Sequence, residues 1–290
     1  MLWVTLALGS ALFLGFYDIA KKKALTGNAV LPVLFFVSIT CTAVLLPLFF
    51  LGKIPSLSLS EHALLLIKAA IVTSSWIFTF NAVSRLPLSL SAPIRASAPL
   101  FTISMAVTLM GERPTEMEWI GIGFSLASYL IMSFASRKET GHFFTNIWIL
   151  SMFFGTFLGS CSGVYDKFLL QRQQLDPLAI QFYFNIYMAC LQGSGILILR
   201  FWQRNNPNRK RFEFRWIILA VGVLLVIADR FYFLAVHEPD ALISVVTVIR
   251  RSNVLISFAG GLFFFKERRS KLKFLAMAGI LTGLFFFGLK

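Results

Sequence analysis

Acidic residues are scarce in this sequence, and so are the side chains that most metal and catalytic sites use. The 290 residues include 13 Asp and Glu, three His and three Cys. The His residues lie far apart, and no two Cys have the CxxC spacing of metal or redox motifs. No Gly-rich phosphate loop precedes a helix in a soluble setting. We therefore expect no metal, no other cofactor, and no enzymatic or ATP-driven activity of this chain alone.

Apolar side chains are abundant instead. They make up 57% of the chain and charged residues 14%, which is the composition of an integral membrane protein. A membrane-spanning helix needs about 20 mostly apolar residues. Because open strands cannot satisfy their backbone in lipid, each long apolar stretch is predicted to be a helix. Ten such stretches lie near 2–20, 28–51, 62–84, 88–110, 117–135, 146–169, 177–200, 214–236, 240–265 and 272–289.

Short patterns occur once in each half of the chain. Gly-Phe-Tyr-Asp at 15–18 matches Gly-Val-Tyr-Asp at 163–166, and Ile-Arg-Ala-Ser at 94–97 matches Ile-Arg-Arg-Ser at 249–252. Since five helices per copy is an odd number, the second copy must be inverted, a plan that many transporters use with a binding site between the halves. We predict an all-α integral membrane protein, ten transmembrane helices in a 5+5 inverted repeat. The two halves, 1–139 and 140–290, form one membrane domain.

Basic residues are distributed unevenly between the loops of the two membrane faces. The net charge is +14, but the basic residues form short clusters between spans, so we expect the lipid bilayer and no nucleic acid as a partner. We number the loops in chain order, so that loop 1 joins the first two spans. Most basic residues lie in odd-numbered loops, which the positive-inside rule places in the cytoplasm. We therefore expect a cell membrane, such as a bacterial inner membrane, with both termini outside. The other face carries only Lys53, Arg113, Lys167, Arg172 and Lys290.

Further motifs recur at similar spacing in both halves. The second half has Phe-Tyr-Phe-Leu-Ala-Val at 231–236 and Glu267 before a basic residue. The first half has Phe-Asn-Ala-Val at 80–83, Ala-Pro-Leu-Phe at 98–101 and Gly-Glu-Arg at 111–113. These motifs resemble the EamA-type repeat of the drug/metabolite transporter superfamily. The resemblance implies a transporter of a small-molecule substrate. It also implies cytoplasmic termini. The loop charges indicate the opposite orientation, and our prediction follows the loop charges.

Two segments are similar to a narrower group, the sugar-phosphate/phosphate translocators. Val-Ile-Arg-Arg-Ser-Asn-Val-Leu-Ile-Ser at 248–257 resembles the basic pair in their ninth helix, which contacts phosphate. Tyr-Asp-Ile-Ala-Lys-Lys-Lys at 17–23 resembles their Asn-Lys-Lys stretch after the first helix. The resemblance implies that Arg250 and Arg251 contact an anionic substrate.

Deep ionisable residues within the predicted spans are mostly basic. A charge at the bilayer centre costs from about 3 to more than 10 kcal/mol by different measures, so such residues usually face a partner or a cavity. Asp229 is the acidic residue among them, which leaves positive charge over. Guanidinium groups bind phosphate or carboxylate oxygens in a bidentate manner, which favours an anionic ligand. The basic residues are Lys68, Arg95, Arg230, Arg250 and Arg251.

The candidate site combines these arginines with residues of the helices that line the cavity in the resembled family. The predicted substrate-binding residues are Arg95, Arg250, Arg251, Tyr17, Tyr165, Asp229, Arg230, Tyr232, Asn81, Trp76 and Asn253. The predicted gating or coupling residues are Asp18, Asp166, Lys22 and Lys167. For Asp18, an ordinary interfacial pair with Lys22 at i,i+4 spacing is the alternative. Coupling to a proton or a counter-substrate is compatible with either reading of the carboxylates.

The sequence therefore predicts a secondary active transporter that moves a small anionic metabolite by alternating access. One alternative is an exporter of amino acids, amines or drugs, in which Asp229, Asp18 and Asp166 neutralise the arginines and these serve as gate or scaffold charges. A remote alternative is a membrane-embedded lipid-modifying enzyme. That activity needs a His or carboxylate cluster at one membrane face, and the sequence has none.

The orientation is testable with a cysteine at Asn206, in the most basic loop. A membrane-impermeant thiol reagent applied outside intact cells is expected not to label it, because loop charge places this loop in the cytoplasm. A cysteine at Lys53, in an even-numbered loop, is the control and should be labelled. The opposite pattern would reverse the orientation.

Overall fold

A computed structural model describes residues 2–86, 94–95, 97–136, 146–202, 211–256, 259 and 271–287. Within these ranges the chain forms ten α-helices of nine or more residues, a short π-helical segment and no strand. The helices are α1 (Leu2–Leu25), α2 (Val30–Phe50), α3 (Leu59–Arg85), α4 (Ala98–Met110), α5 (Glu116–Ser136), α6 (Ile147–Lys167, continued by the π-helical Phe168–Arg172), α7 (Pro177–Trp202), α8 (Ile217–His237), α9 (Ile243–Arg251) and α10 (Lys271–Phe287).

Each predicted span overlaps one of these helices, and the prediction of an all-α membrane protein is confirmed. Five of them, α1, α2, α3, α6 with its π-helical extension, and α8, are long and apolar enough to cross a bilayer. Ala98–Met110 and Leu275–Phe287 are shorter apolar helices. The predicted spans 88–110 and 240–265 lie partly outside the described residues.

The helices pack in pairs that follow a two-fold pattern. α1 packs along α8, and α6 packs along α3; α4 contacts α6, and α9 contacts α1. Counting five helices forward, and returning to α1 after α10, turns the α1–α8 pair into the α6–α3 pair. The same step turns the α4–α6 pair into the α9–α1 pair. Three further packed pairs are unchanged by this step because their members are five helices apart: α2 with α7, α5 with α10 and α4 with α9. The division at residue 139 stays a prediction, and this exchange of packing partners favours it.

Small residues allow close approach between helices, as is usual in membranes. Gly222 of α8 lies against α2: a Cβ atom there would be 2.6 Å from Cβ and 2.7 Å from Cγ2 of Thr40. Thr40 is buried, so it cannot move out into open space. The α2–α8 contact therefore depends on the absence of a side chain at this position.

Substitution of Gly222 by Ala is expected to destabilise the fold by about 1–3 kcal/mol, the usual cost of overpacking. The thermal unfolding midpoint of the purified protein measures this. Gly123 is the matched control, because a Cβ atom there meets nothing within 4 Å. Gly123→Ala should leave the midpoint unchanged or raise it; equal losses in both variants would contradict the close contact.

Candidate functional site

A cavity of about 230 Å³ lies between the helices of the two halves. Its lining residues on α1 lie between Leu14 and Leu25, and those on α3 lie between Lys68 and Val83. These are the parts of the two helices that lead to loops 1 and 3. On these two helices the cavity lies towards the odd-numbered loops, whereas on α6 its lining residues, from Gly155 to Asp166, lie in the part that leads to loop 6. Its charged lining residues are Lys21, Lys68, Arg95, Asp166, Asp229, Arg250 and Arg251.

The repeated Ile-Arg-x-Ser segments form matching breaks in the helices of the two halves. The amide of Ser97 donates to the carbonyl of Ile94 at 3.1 Å, and the amide of Ser252 to that of Ile249 at 3.0 Å. Three residues on, Leu100 N bonds Ser97 O at 3.0 Å and Leu255 N bonds Ser252 O at 2.9 Å. Arg95 and Arg250 each precede such a break, so repeat-related backbone geometry presents both arginines to the cavity.

Arg250 is held by groups on two neighbouring helices. Its guanidinium pairs with the Asp229 carboxylate of α8 and lies 4.1 Å from the ring centroid of Tyr232. Its Nε donates to the Ser10 hydroxyl of α1 at 3.2 Å. The positive charge of Arg250 is therefore balanced within the cavity wall.

Lys68 and Asp166 form a second ion pair, which joins α3 of the first half to α6 of the second. Both residues are buried, with 2% and 5% of their surfaces exposed. The Tyr232 hydroxyl donates to Asp166 Oδ2 at 3.1 Å, and the Lys68 ammonium lies 4.6 Å from the Phe184 ring centroid. This pair is also balanced in charge, and both of its members line the cavity.

Asp18 is the centre of a third cluster, in which cations outnumber carboxylates. Lys21 Nζ lies 2.5 Å and Arg95 Nη1 3.6 Å from Asp18 Oδ1, and the Asn253 amide donates to Oδ2 at 2.6 Å. The partner of Asp18 on its own helix is thus Lys21 at i+3, and not Lys22 as the i,i+4 spacing suggests. Lys21 was missed as a site residue; its position four residues after Tyr17, on the same helix face, is the signal that could have indicated it.

Most of the sequence-predicted residues line this one cavity: Arg95, Arg250, Arg251, Tyr17, Asp229, Tyr232, Trp76, Asn253 and Asp166. Asp18 contacts two lining cations, and Lys22 lies beyond it on α1. Lys167 lies near the even-numbered loops, paired with Glu112 at 2.6 Å.

Three of the predicted substrate-binding residues also lie outside the cavity lining. The Tyr165 hydroxyl donates to the carbonyl of Leu64 at 3.2 Å, and the Asn81 amide donates to that of Ile77 at 2.8 Å. Arg230 is half-buried on a different face of α8 from Asp229, because adjacent helical residues point about 100° apart. No cluster of three or more His, Cys, Asp and Glu suited to a metal ion occurs in the described part of the chain.

The described residues thus combine helices long and apolar enough to cross a membrane with a charged internal cavity. Residues 1–134 match the EamA-like transporter family. Solute carrier family 35 member E4 of Homo sapiens is 25% identical over 208 residues, which are 69% of this chain and 55% of that protein. The chain thus spans about half the length of that relative. These matches support the assignment to the EamA-type drug/metabolite transporters made from the motifs.

The fold has a counterpart among solved structures. A crystal structure of another protein superposes with a TM-score of 0.75, covering 99% of this chain and 98% of that one, at 15% sequence identity. At this identity the likeness concerns the fold alone.

Lys68 is expected to be essential to stability because Asp166 depends on it. Lys68→Met should lower the free energy of unfolding by about 3–5 kcal/mol, since it leaves a buried carboxylate without its cation. The double variant Lys68→Met/Asp166→Asn should recover most of the loss, because it removes both charges. Thermal unfolding measures both, with Lys53→Met in an exposed loop as control; a double variant as unstable as the single one would contradict a paired charge.

Proposed function

We propose that this protein is a secondary active transporter that moves a small organic anion by alternating access of the cavity. The observation that carries the proposal is the cluster around Asp18, where Lys21 and Arg95 share one carboxylate at the cavity wall. Two cations with a single counter-charge in a low-dielectric setting attract a further anion. A phosphate- or carboxylate-bearing solute supplies it.

Arg250 and Arg251 extend this cationic surface from the other half of the chain. Arg250 is balanced by Asp229, so an anion bound to Arg250 competes with that carboxylate or adds to it. Arg95 has the weaker counter-charge, its shared carboxylate oxygen being 3.6 Å away. We therefore place the anionic group nearest to Arg95 and Lys21, with Arg250 as a second contact.

The remaining wall suits the organic part of a metabolite. Trp76 and Phe80 stack with ring centroids 5.6 Å apart, and both line the cavity. Ser75, Thr79 and Asn185 add hydroxyl and amide groups to the same wall. Aromatic faces together with a few polar groups are typical of small-molecule sites.

The two five-helix halves would move against each other around this cavity, as in other inverted-repeat transporters. On α1 and α3 the cavity extends towards the odd-numbered loops, which loop charge places in the cytoplasm, so the state described is proposed to face inward. A proton or a counter-substrate would return the empty protein to its other state.

One observation favours the alternative of an exporter of amino acids, amines or drugs. Arg250 is paired with Asp229, and Arg95 with Asp18, so both repeat-related arginines already have a carboxylate partner. In that case the arginines are scaffold charges, and the ligand contacts the aromatic wall.

A ligand screen by thermal shift separates these two functions. A ligand at about 100 times its Kd adds roughly 2.7 kcal/mol to the native state. We expect inorganic phosphate, phosphate esters or carboxylates to raise the unfolding midpoint, and amines and neutral amino acids to have no effect. Arg95→Gln should abolish the shift, whereas Arg230→Gln, a deep arginine outside the cavity lining, should keep it. Stabilisation by amines or neutral amino acids alone would establish the exporter instead.

Arg250 needs a double variant, because Arg250→Ala leaves Asp229 without its partner. Arg250→Ala is expected to lose both stability and the anion-induced shift. Arg250→Ala/Asp229→Asn should regain stability but not the shift, since the contact with the anion is still missing. Recovery of the full shift in the double variant would make Arg250 a scaffold charge.

A further inference from the structure

A buried carboxylate of the first half, Glu112, lies near the even-numbered loops. Glu112 follows Gly111, whose φ of 69° ends α4 in the left-handed conformation. The Glu112 amide bonds back to the carbonyl of Ala106 at 3.1 Å, which fixes the start of the loop. The Glu112 side chain is 1% exposed and points into the second half of the chain.

Among the described residues, the contacts of this carboxylate are with donors of the second half. The amides of Ile243 and Ser244 donate to it at 2.6 and 3.1 Å, and the Ser244 hydroxyl at 2.5 Å. Lys167 Nζ donates at 2.6 Å and reaches the carbonyl of Ala241 at 3.2 Å. Glu112 lies in loop 4 (111–115), between α4 and α5. It therefore connects this loop with the end of α6 and the start of α9.

Helix α9 has no cap of its own. Its N-cap residue is Leu242, whose side chain makes no capping hydrogen bond. The first amides of a helix need an acceptor, and a negative charge there is favourable to the helix dipole. Glu112, from the other half, supplies both the acceptor and the negative charge. The first amides of α9 therefore have this acceptor only while the two halves are in contact at this end.

The other end of the same helix carries the cavity arginines. α9 has nine residues, from Ile243 to Arg251, and at 1.5 Å per residue it is about 13 Å long. Arg250 and Arg251 lie in its last turn. A single short helix thus connects the contacts of Glu112 with the cationic wall of the cavity.

We propose that Glu112 is the latch of the even-loop end: its contacts with Lys167 and the start of α9 hold that end closed, and they must separate before the cavity opens there. The inference rests on the proposed alternating access. It makes Glu112 a positioning residue for α9, and it does not require contact between Glu112 and the transported solute.

Glu112→Gln tests the latch with little change in size. All four groups that meet the carboxylate are donors, so the amide NH₂ of Gln faces another donor and loses the charge that pairs with Lys167. Ser244→Ala is a milder variant that removes one contact and keeps the other three. Glu61→Gln is the matched control: Glu61 also caps a helix at an even-loop end, and its carboxylate is bonded by Ser58 of the same turn.

The readout is the face from which the cavity can be labelled. Thr79 lines the cavity on α3, and Thr79→Cys in a chain without Cys41, Cys161 and Cys190 reports its accessibility to an impermeant thiol reagent. Thr26→Cys and Lys53→Cys, both at exposed positions, mark the odd-loop and even-loop faces of the vesicles.

With Glu112 intact, we expect labelling of Thr79→Cys from the odd-loop face. Glu112→Gln should raise the labelling rate from the even-loop face at least fivefold and lower it from the odd-loop face, and Ser244→Ala should give a smaller change in the same direction. Glu61→Gln should match the parent.

An unchanged pattern in both Glu112→Gln and Ser244→Ala would overturn the latch. So would rates that rise equally from both faces, which indicate a loosened fold. If anions stabilise the protein but Glu112→Gln does not change the face from which Thr79→Cys is labelled, the latch is rejected and the anionic substrate is retained. If the face switches and no anion stabilises the protein, the anionic substrate alone fails.

Discussion

The structure depends on the pairing of charges that lie inside the membrane. Ionised side chains lose most of their hydration there, so each needs a counter-charge or hydrogen-bonding partners. The pairs are of two kinds. Arg95 with Asp18 and Arg250 with Asp229 each join groups of one half, and they can travel with that half unchanged. Lys68 with Asp166 and Lys167 with Glu112 join the two halves, so a relative movement of the halves must strain or separate them.

The helix breaks beside the arginines arise from the repeated Ile-Arg-x-Ser segments and not from proline. Pro99 follows the first break and Val254 the second, yet Ser97 and Ser252 make equivalent hydrogen bonds within 0.1 Å. Discontinuous helices with their backbone exposed to a cavity are a feature of many transporter sites. The divergence at Pro99 and Val254 has therefore left the geometry around Arg95 and Arg250 intact.

Hydropathy and the repeat predicted the helices and most of the charged residues that line the cavity, because both follow from local sequence. The rotation of each helix was harder to predict. Of the repeated Tyr-Asp pairs, Tyr17 and Asp166 line the cavity, whereas Tyr165 bonds Leu64, so the two copies differ in which member faces inward. The role of Glu112 could not be predicted, since its partners at 243 and 244 lie more than 130 residues away and are mostly backbone amides.

Hydration explains how charges between the halves can hold a closed end and still separate. A buried carboxylate stripped of its partners costs several kcal/mol, and so do helix amides without an acceptor. Water that enters from the even-loop face can solvate Glu112, Lys167 and the start of α9 as they part, which offsets most of that cost. Without water the same separation is prohibitive. In the proposed alternating access, opening of this end and its wetting must therefore occur together, and the hydrogen bonds of Glu112 make the closed end a distinct state rather than one point in a continuous movement.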